Sequence, residues 1–242
     1  MTPTAAEIAA LVGAAFVAGI VDAIAGGGGL VTVPILAAIG LPPHAVLATN
    51  KGQSVFGSAA SLATYWRAGT VTRRLVRYTF PLALVGALGG VIAVTQVSPQ
   101  HLKPIVLVLL VCAAALMLVR KPRRADDEPT ARAFGGALML AVVIGFYDGF
   151  FGPGTGTFLI IGFVLLCGAS LARATADAKV VNFGSNLASV IWFGSHGYVV
   201  WQLALPMAAA QLTGGIVGAR LALKSGAQLI RVIVVEIGRA HV

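Results

Sequence analysis

Two aspartates and two lysines stand out because the sequence around them is almost wholly apolar. Asp22 lies in Gly19-Ile-Val-Asp22-Ala-Ile-Ala-Gly26-Gly27-Gly28-Gly29. Asp148 lies in Gly145-Phe-Tyr-Asp148-Gly-Phe-Phe-Gly152-Pro153-Gly154-Thr155-Gly156-Thr157, a variant of the same stretch 126 residues later. A carboxylate at bilayer depth costs about 2.5–3.5 kcal/mol on insertion scales, so it is normally functional or paired. Asp22 and Asp148 therefore read either as proton-carrying, substrate-gating groups or as acceptors that brace a broken backbone. Lys51 and Lys179, at an offset of 128, read as cationic partners for an anionic substrate, or as lysines that snorkel or pair with a carboxylate.

The glycine runs supply a second kind of chemistry. A helix does not run intact through Gly26–Gly29 or Gly152–Gly156, because glycine is entropically costly there and proline lacks a donor. Each copy reads as a helix that stops, exposes backbone polar groups and restarts. The N–H groups of Gly26, Gly27, Gly28 and Gly29, and of Gly152, Gly154, Thr155 and Gly156, would then open the following half-helix, where the positive end of the helix dipole suits an anion. Hydroxyls of Thr32, Thr155 and Thr157 could add donors. A purely structural turn is the alternative. A nucleotide loop is not supported, since neither GxGxxG nor a Walker lysine follows. Asn50 sits beside Lys51 with Gln53, Ser54 and Ser58 in one half; Asn182, Ser185 and Asn186 follow Lys179 in the other. The amides among them would ligate sulfonate or carboxylate oxygens, or join helices.

The elements that must position these groups are helices. The pattern predicts helices over about 7–25, 44–66, 78–97 and 102–119, with a short segment at 30–39. In the second half it predicts helices over 133–150, 171–195 and 199–223, with a short segment at 157–167. Segments of ten residues are too short to span a bilayer alone and read as half-helices. A further element is expected to begin near Ala227 and to stop at Glu236.

Composition sets the class. The chain has 242 residues, 58% hydrophobic and 10% charged, with a mean hydropathy of +0.92. Soluble domains carry about 25% charged residues. The expectation is an all-α, multi-pass inner (plasma) membrane protein in contact with the lipid bilayer. The net charge of +9 comes from arginine and lysine clustered in short loops, which mark the cytoplasmic side; nucleic acid is not the implied partner. Cys112 and Cys167 lie far apart in apolar runs, with no metal or disulfide spacing. No Ser-His-Asp, His-Glu-x-x-His or Cys-x-x-Cys arrangement is present, so the sequence gives no support to an enzyme, a metal or a cofactor.

The expected division is a first transmembrane repeat (1–120), a polar cytoplasmic linker (121–132), a second repeat (133–236) and a tail (237–242) that reads either as non-native sequence after a truncated last helix or as a genuine polar end. Gly86 and Gly90 match Gly214 and Gly218, a GxxxG spacing in both halves that favours close helix approach. Arg67, Arg73, Arg74 and Arg77 crowd one loop, while its counterpart at 195–202 has no arginine or lysine. Equivalent loops of opposite charge character indicate inverted-topology repeats. Paired breaks in such repeats point to a transporter's binding site. A cargo-free structural or regulatory subunit and a passive anion channel are the rival functions, and a homo-oligomer stays open.

Several of these pieces together resemble the TauE/SafE family of sulfite exporter-like membrane permeases: Gly19-x-x-Asp22-x-x-x-Gly26-Gly-Gly-Gly29, Thr32-x-Pro34, Ala48-Thr-Asn-Lys51, Gly145-x-x-Asp148-x-x-x-Gly152-Pro-Gly-Thr-Gly156, Arg173-Ala-Thr-Ala176, Lys179-Val-Val-Asn182 and Asn186. The resemblance spans nearly the whole chain. It implies a polytopic permease with duplicated halves that moves sulfite, sulfonates or related small organic anions. The expected site is bordered by Lys51, Lys179, Asn182 and Asn186 between the two breaks, with Asp22 or Asp148 coupling transport to protons.

Overall fold

In the computed structural model, residues 4–119 and 131–239 are described, and all regular structure among them is helical: α1 (Ala5–Ala25), α2 (Gly28–Ala38), α3 (Pro43–Arg67), α4 (Arg73–Thr95), α5 (Pro99–Val119), α6 (Ala131–Phe150), α7 (Thr155–Cys167), α8 (Leu171–Ser195) and α9 (Trp201–Arg239). The linker expected at 121–132 and the tail at 237–242 lie largely outside the described residues.

Most elements fall where the hydrophobic pattern puts them, with two differences. Helix α4 starts at Arg73 rather than near Tyr78, so the basic residues Arg73, Arg74 and Arg77 belong to its first turns. Helix α9 runs unbroken through Arg239, so the break expected near Ala227 is absent. Gly226 is tolerated within it, as a single glycine costs a helix only about 1 kcal/mol.

Polarity is inverted relative to a water-soluble domain. Val85, Leu107, Val108, Val111, Met139, Val143, Ile191 and Leu205 are exposed, whereas Lys51, Lys179, Asp148, Gln53 and Asn50 are buried. Helices α1 and α4, and α6 from Ala133, are long and apolar enough to cross a membrane. Helices α3 and α8, each 25 residues, carry most of the buried polar groups and pack against each other.

Helix α1 lies against α9, and α4 against α6. The two GxxxG pairs make these contacts. A Cβ on Gly86 or Gly90 would strike the carbonyls of Val142 and Phe146 in α6. One on Gly214 or Gly218 would strike those of Phe16 and Ile20 in α1. Side chains are thus excluded because backbone meets backbone.

The central helices α3 and α8 are antiparallel, and their ends are tied. Asp177, near the start of α8, accepts from the Thr72 N–H at 2.7 Å and from its hydroxyl at 2.8 Å, just before α4 begins. At the opposite end, Thr49 of α3 accepts from the Val200 N–H at 3.1 Å, just before α9 begins. Each central helix therefore supplies an acceptor to a donor that would otherwise be orphaned at a helix start. Replacing Asp177 with alanine is expected to lower stability by about 0.5–2 kcal/mol, the range for a lost N-terminal cap. Thermal unfolding in detergent should record a fall of a few degrees; an unchanged midpoint would show that the tie is idle.

Candidate functional site

Helix α1 ends because Gly26 turns left-handed, at φ +82°, with its N–H bonded to the carbonyls of Val21 and Asp22. Helix α6 ends at Phe150, after which Gly152 (φ +99°) and Gly154 (φ +84°) redirect the chain into α7. The two breaks then pack against each other. A Cβ added to Gly26 would overlap the backbone of Gly156, one on Gly156 would overlap Gly26, and one on Gly29 would lie 3.1 Å from the Cα of Pro153. Neighbouring hydroxyls satisfy the exposed carbonyls at the end of α1. Thr157 donates to the Ala25 carbonyl at 2.6 Å and Tyr65 to that of Ala23 at 2.9 Å.

Two ion pairs cross between the halves at this junction. Lys51 Nζ of α3 lies 2.6 Å from Asp148 Oδ1 of α6, and 3.1 Å from Asn186 Oδ1 of α8. Lys179 Nζ of α8 lies 3.0 Å from Asp22 Oδ2 of α1 and also donates to the main-chain carbonyl of Asp22. Pairing with a carboxylate is therefore the role the fold gives both lysines. The surroundings of the two carboxylates differ. Asp148 also accepts from Thr155 Oγ1 at 2.9 Å and from the Ser185 hydroxyl. Asp22 has only Lys179 as side-chain partner among the described residues, and its side chain is 12% exposed against 2% for Asp148.

A small cavity of about 20 Å³ lies between the breaks, room for about one water molecule. Lys51, Asp22, Asp148 and Thr155 reach it, as do the amides Asn50, Asn182 and Asn186, together with Gly26 and Gly29. The Asn50 carbonyl accepts from Thr32 Oγ1 at 2.6 Å and from Gln53 Nε2 at 3.1 Å, and the Asn186 carbonyl accepts from Lys51. Their NH2 groups are the ends left to donate. Asn182 Oδ1 is buried without a partner among the described residues.

Other residues expected at the site stand off the cavity wall, each for a visible reason. Gly27, Gly28, Gly154 and Gly156 form the turns and the backbone contact. Thr32 spends its hydroxyl on Asn50 and the Gly28 carbonyl. Lys179 sits behind Asp22. Gly152 and Ser54, both named beside these residues in the sequence, line the cavity as well. Ser54 lies one turn beyond Asn50 and Lys51, the spacing that puts it on their face of the helix.

A bundle with buried charge pairs at the meeting point of two broken helices, wrapped in an apolar exterior, defines a polytopic membrane transporter. Residues 11–237 match the Sulfite exporter TauE/SafE family, and the chain belongs to it. It is 40% identical over 231 residues to a probable membrane transporter protein, ORF9, of Sinorhizobium sp, covering 94% of this chain and 87% of that one. It is 38% identical over 223 residues to the probable membrane transporter protein YfcA of Escherichia coli K12, with 91% and 82% covered. It is 37% identical over 224 residues to a probable membrane transporter protein of Haemophilus influenzae, with 91% and 87% covered. No solved structure matches the chain.

Proposed function

We propose that the protein is a secondary transporter that moves sulfite, an organosulfonate or a related small organic anion across the plasma membrane, and that its substrate binds at the junction of the two breaks. The observation that carries this reading is Lys51: a buried cation on the cavity wall, hydrogen-bonded to Asp148 and Asn186. In the closed state Asp148 occupies the position of an anion. A substrate oxyanion would take over Lys51 and accept from the NH2 groups of Asn50 and Asn186 and from the Thr155 hydroxyl. Bonds of this charge-assisted kind suit sulfonate and carboxylate oxygens.

The two halves support alternating access by inverted-topology repeats. Helices α3 and α8, which carry the matched lysines, run in opposite senses. The first-half lysine pairs with the second-half aspartate and the reverse. Rocking one half against the other would break and remake both pairs around a fixed site. A substrate drives such a change only by binding the two states unequally, and here it would do so by competing with Asp148.

The test is an uptake panel with purified protein in proteoliposomes, using sulfite, sulfoacetate, taurine and lactate. Saturable uptake of at least one anion, driven uphill by a pH gradient, is expected. Absence of saturable flux with intact folding would favour a cargo-free membrane subunit; flux that only ever runs downhill would favour a channel.

A further inference from the structure

We infer that the site is loaded by one anion and one proton together, with Asp22 as the group that takes the proton. The inference rests on the transport reading above and deepens it. Its basis is charge balance. Four ionisable side chains meet at the centre, Asp22, Asp148, Lys51 and Lys179, and they are paired one to one. The empty site is therefore neutral. A bare anion entering it would leave one uncompensated negative charge in a water-poor interior, which low polarity penalises heavily. Protonation of one carboxylate restores neutrality: an aqueous proton bonds to a carboxylate oxygen, and the two lysines are then balanced by the remaining carboxylate and the anion.

Geometry selects Asp22 over Asp148. Asp148 is held by three donors, Lys51, Thr155 and Ser185, and its side chain is sealed. Both line the cavity, but Asp22 is the more exposed of the two and has one oxygen without a hydrogen bond among the described residues. Lys179 also holds the Asp22 main-chain carbonyl, so it keeps an acceptor when the Asp22 carboxyl becomes neutral. Asn182 Oδ1, buried on the same wall and unpartnered among the described residues, offers an acceptor to water that delivers the proton.

No other charge described on the packed elements competes for Asp22. Helices α2 and α7 carry none. Arg67 of α3, Arg173 of α8 and Glu7 of α1 are exposed, as are Arg220 and Lys224 of α9. Asp177 is committed to Thr72. The groups that face Asp22 are thus Lys179, Lys51 and Asp148, together with the neutral Tyr65 hydroxyl on the adjacent carbonyl.

The experiment uses the full chain in proteoliposomes that enclose a pH-sensitive dye, with radiolabelled methanesulfonate outside. This monoanion does not protonate in the working pH range, so no acid form leaks through the lipid. One proton is expected to enter per anion, at a rate unchanged by an imposed potassium-diffusion potential of either sign. Asp22→Asn is expected to carry the anion without luminal acidification and to become sensitive to the potential, whereas Asp22→Glu keeps the coupling. Wild-type flux that follows the potential without acidification would overturn the inference and leave the transport reading standing, and this arm needs no variant to fold. Persistent proton coupling in Asp22→Asn would also overturn it. Absence of methanesulfonate flux in the wild type would overturn the transport reading for sulfonates, and the inference with it.

Discussion

Replacing Lys51 with methionine is expected to abolish anion uptake and to lower stability by about 3–5 kcal/mol, the cost of removing one partner of a buried ion pair. Lys51 is only 1% exposed. Its ammonium is the sole cation within hydrogen-bond reach of Asp148 among the described residues, and methionine fills similar space without charge. The Asp148 carboxylate would then keep the hydroxyls of Thr155 and Ser185 but lose its countercharge. The double variant Lys51→Met with Asp148→Asn separates the two consequences. With both charges gone, stability should return to near the wild-type value, because a buried pair contributes little net stability. Uptake should stay abolished, because no other cation among the described residues lines the cavity wall. Thermal unfolding in detergent and proteoliposome uptake measure the two arms. A double variant that regains flux would remove Lys51 from the binding machinery.

The second large effect is steric. Gly26→Ala is expected to prevent accumulation of folded, monodisperse protein. Two causes act at once. The left-handed backbone at φ +82° disfavours any Cβ by about 1–3 kcal/mol. The Cβ would also fall on the backbone of Gly156, which cannot yield without separating the breaks. Gly40 isolates the first cause: its φ is +83°, but open space surrounds the position a Cβ would take. Gly40→Ala should therefore fold, with only the conformational cost. Size-exclusion profiles of the two variants after detergent extraction make the comparison. Equal behaviour would mean that the contact between the breaks contributes nothing.

The order of helices, both breaks and the four buried charges were legible in the sequence because each depends on local composition. A carboxylate inside an apolar run, and glycines that no helix accommodates, announce themselves without tertiary information. The repeat offset also carried real contacts: Gly86 and Gly90, like Gly214 and Gly218, meet the backbone of a helix from the other half. What stayed hidden was partnership across the bundle. Nothing local says that Lys51 reaches Asp148 rather than Asp22, or that Lys179 stands behind the cavity instead of beside it. Of the N–H groups expected to be free at the breaks, that of Gly26 bonds back to the Val21 and Asp22 carbonyls and that of Thr155 to the Gly152 carbonyl. The early start of α4 depends on Asp177, a residue more than a hundred positions away that supplies an acceptor at its N-terminus. One signal was available: Thr49 and Asp177 share the repeat offset of 128, and both accept from the N–H that precedes a helix.

The most direct measurement is a structure determined with a saturating organosulfonate. The account predicts its oxygens within hydrogen-bond distance of Lys51 Nζ, between Gly26 and Gly152, with the Lys51–Asp148 contact lengthened from 2.6 Å. An anion bound elsewhere, with both Lys–Asp pairs intact and the two breaks still closed on each other, would contradict it.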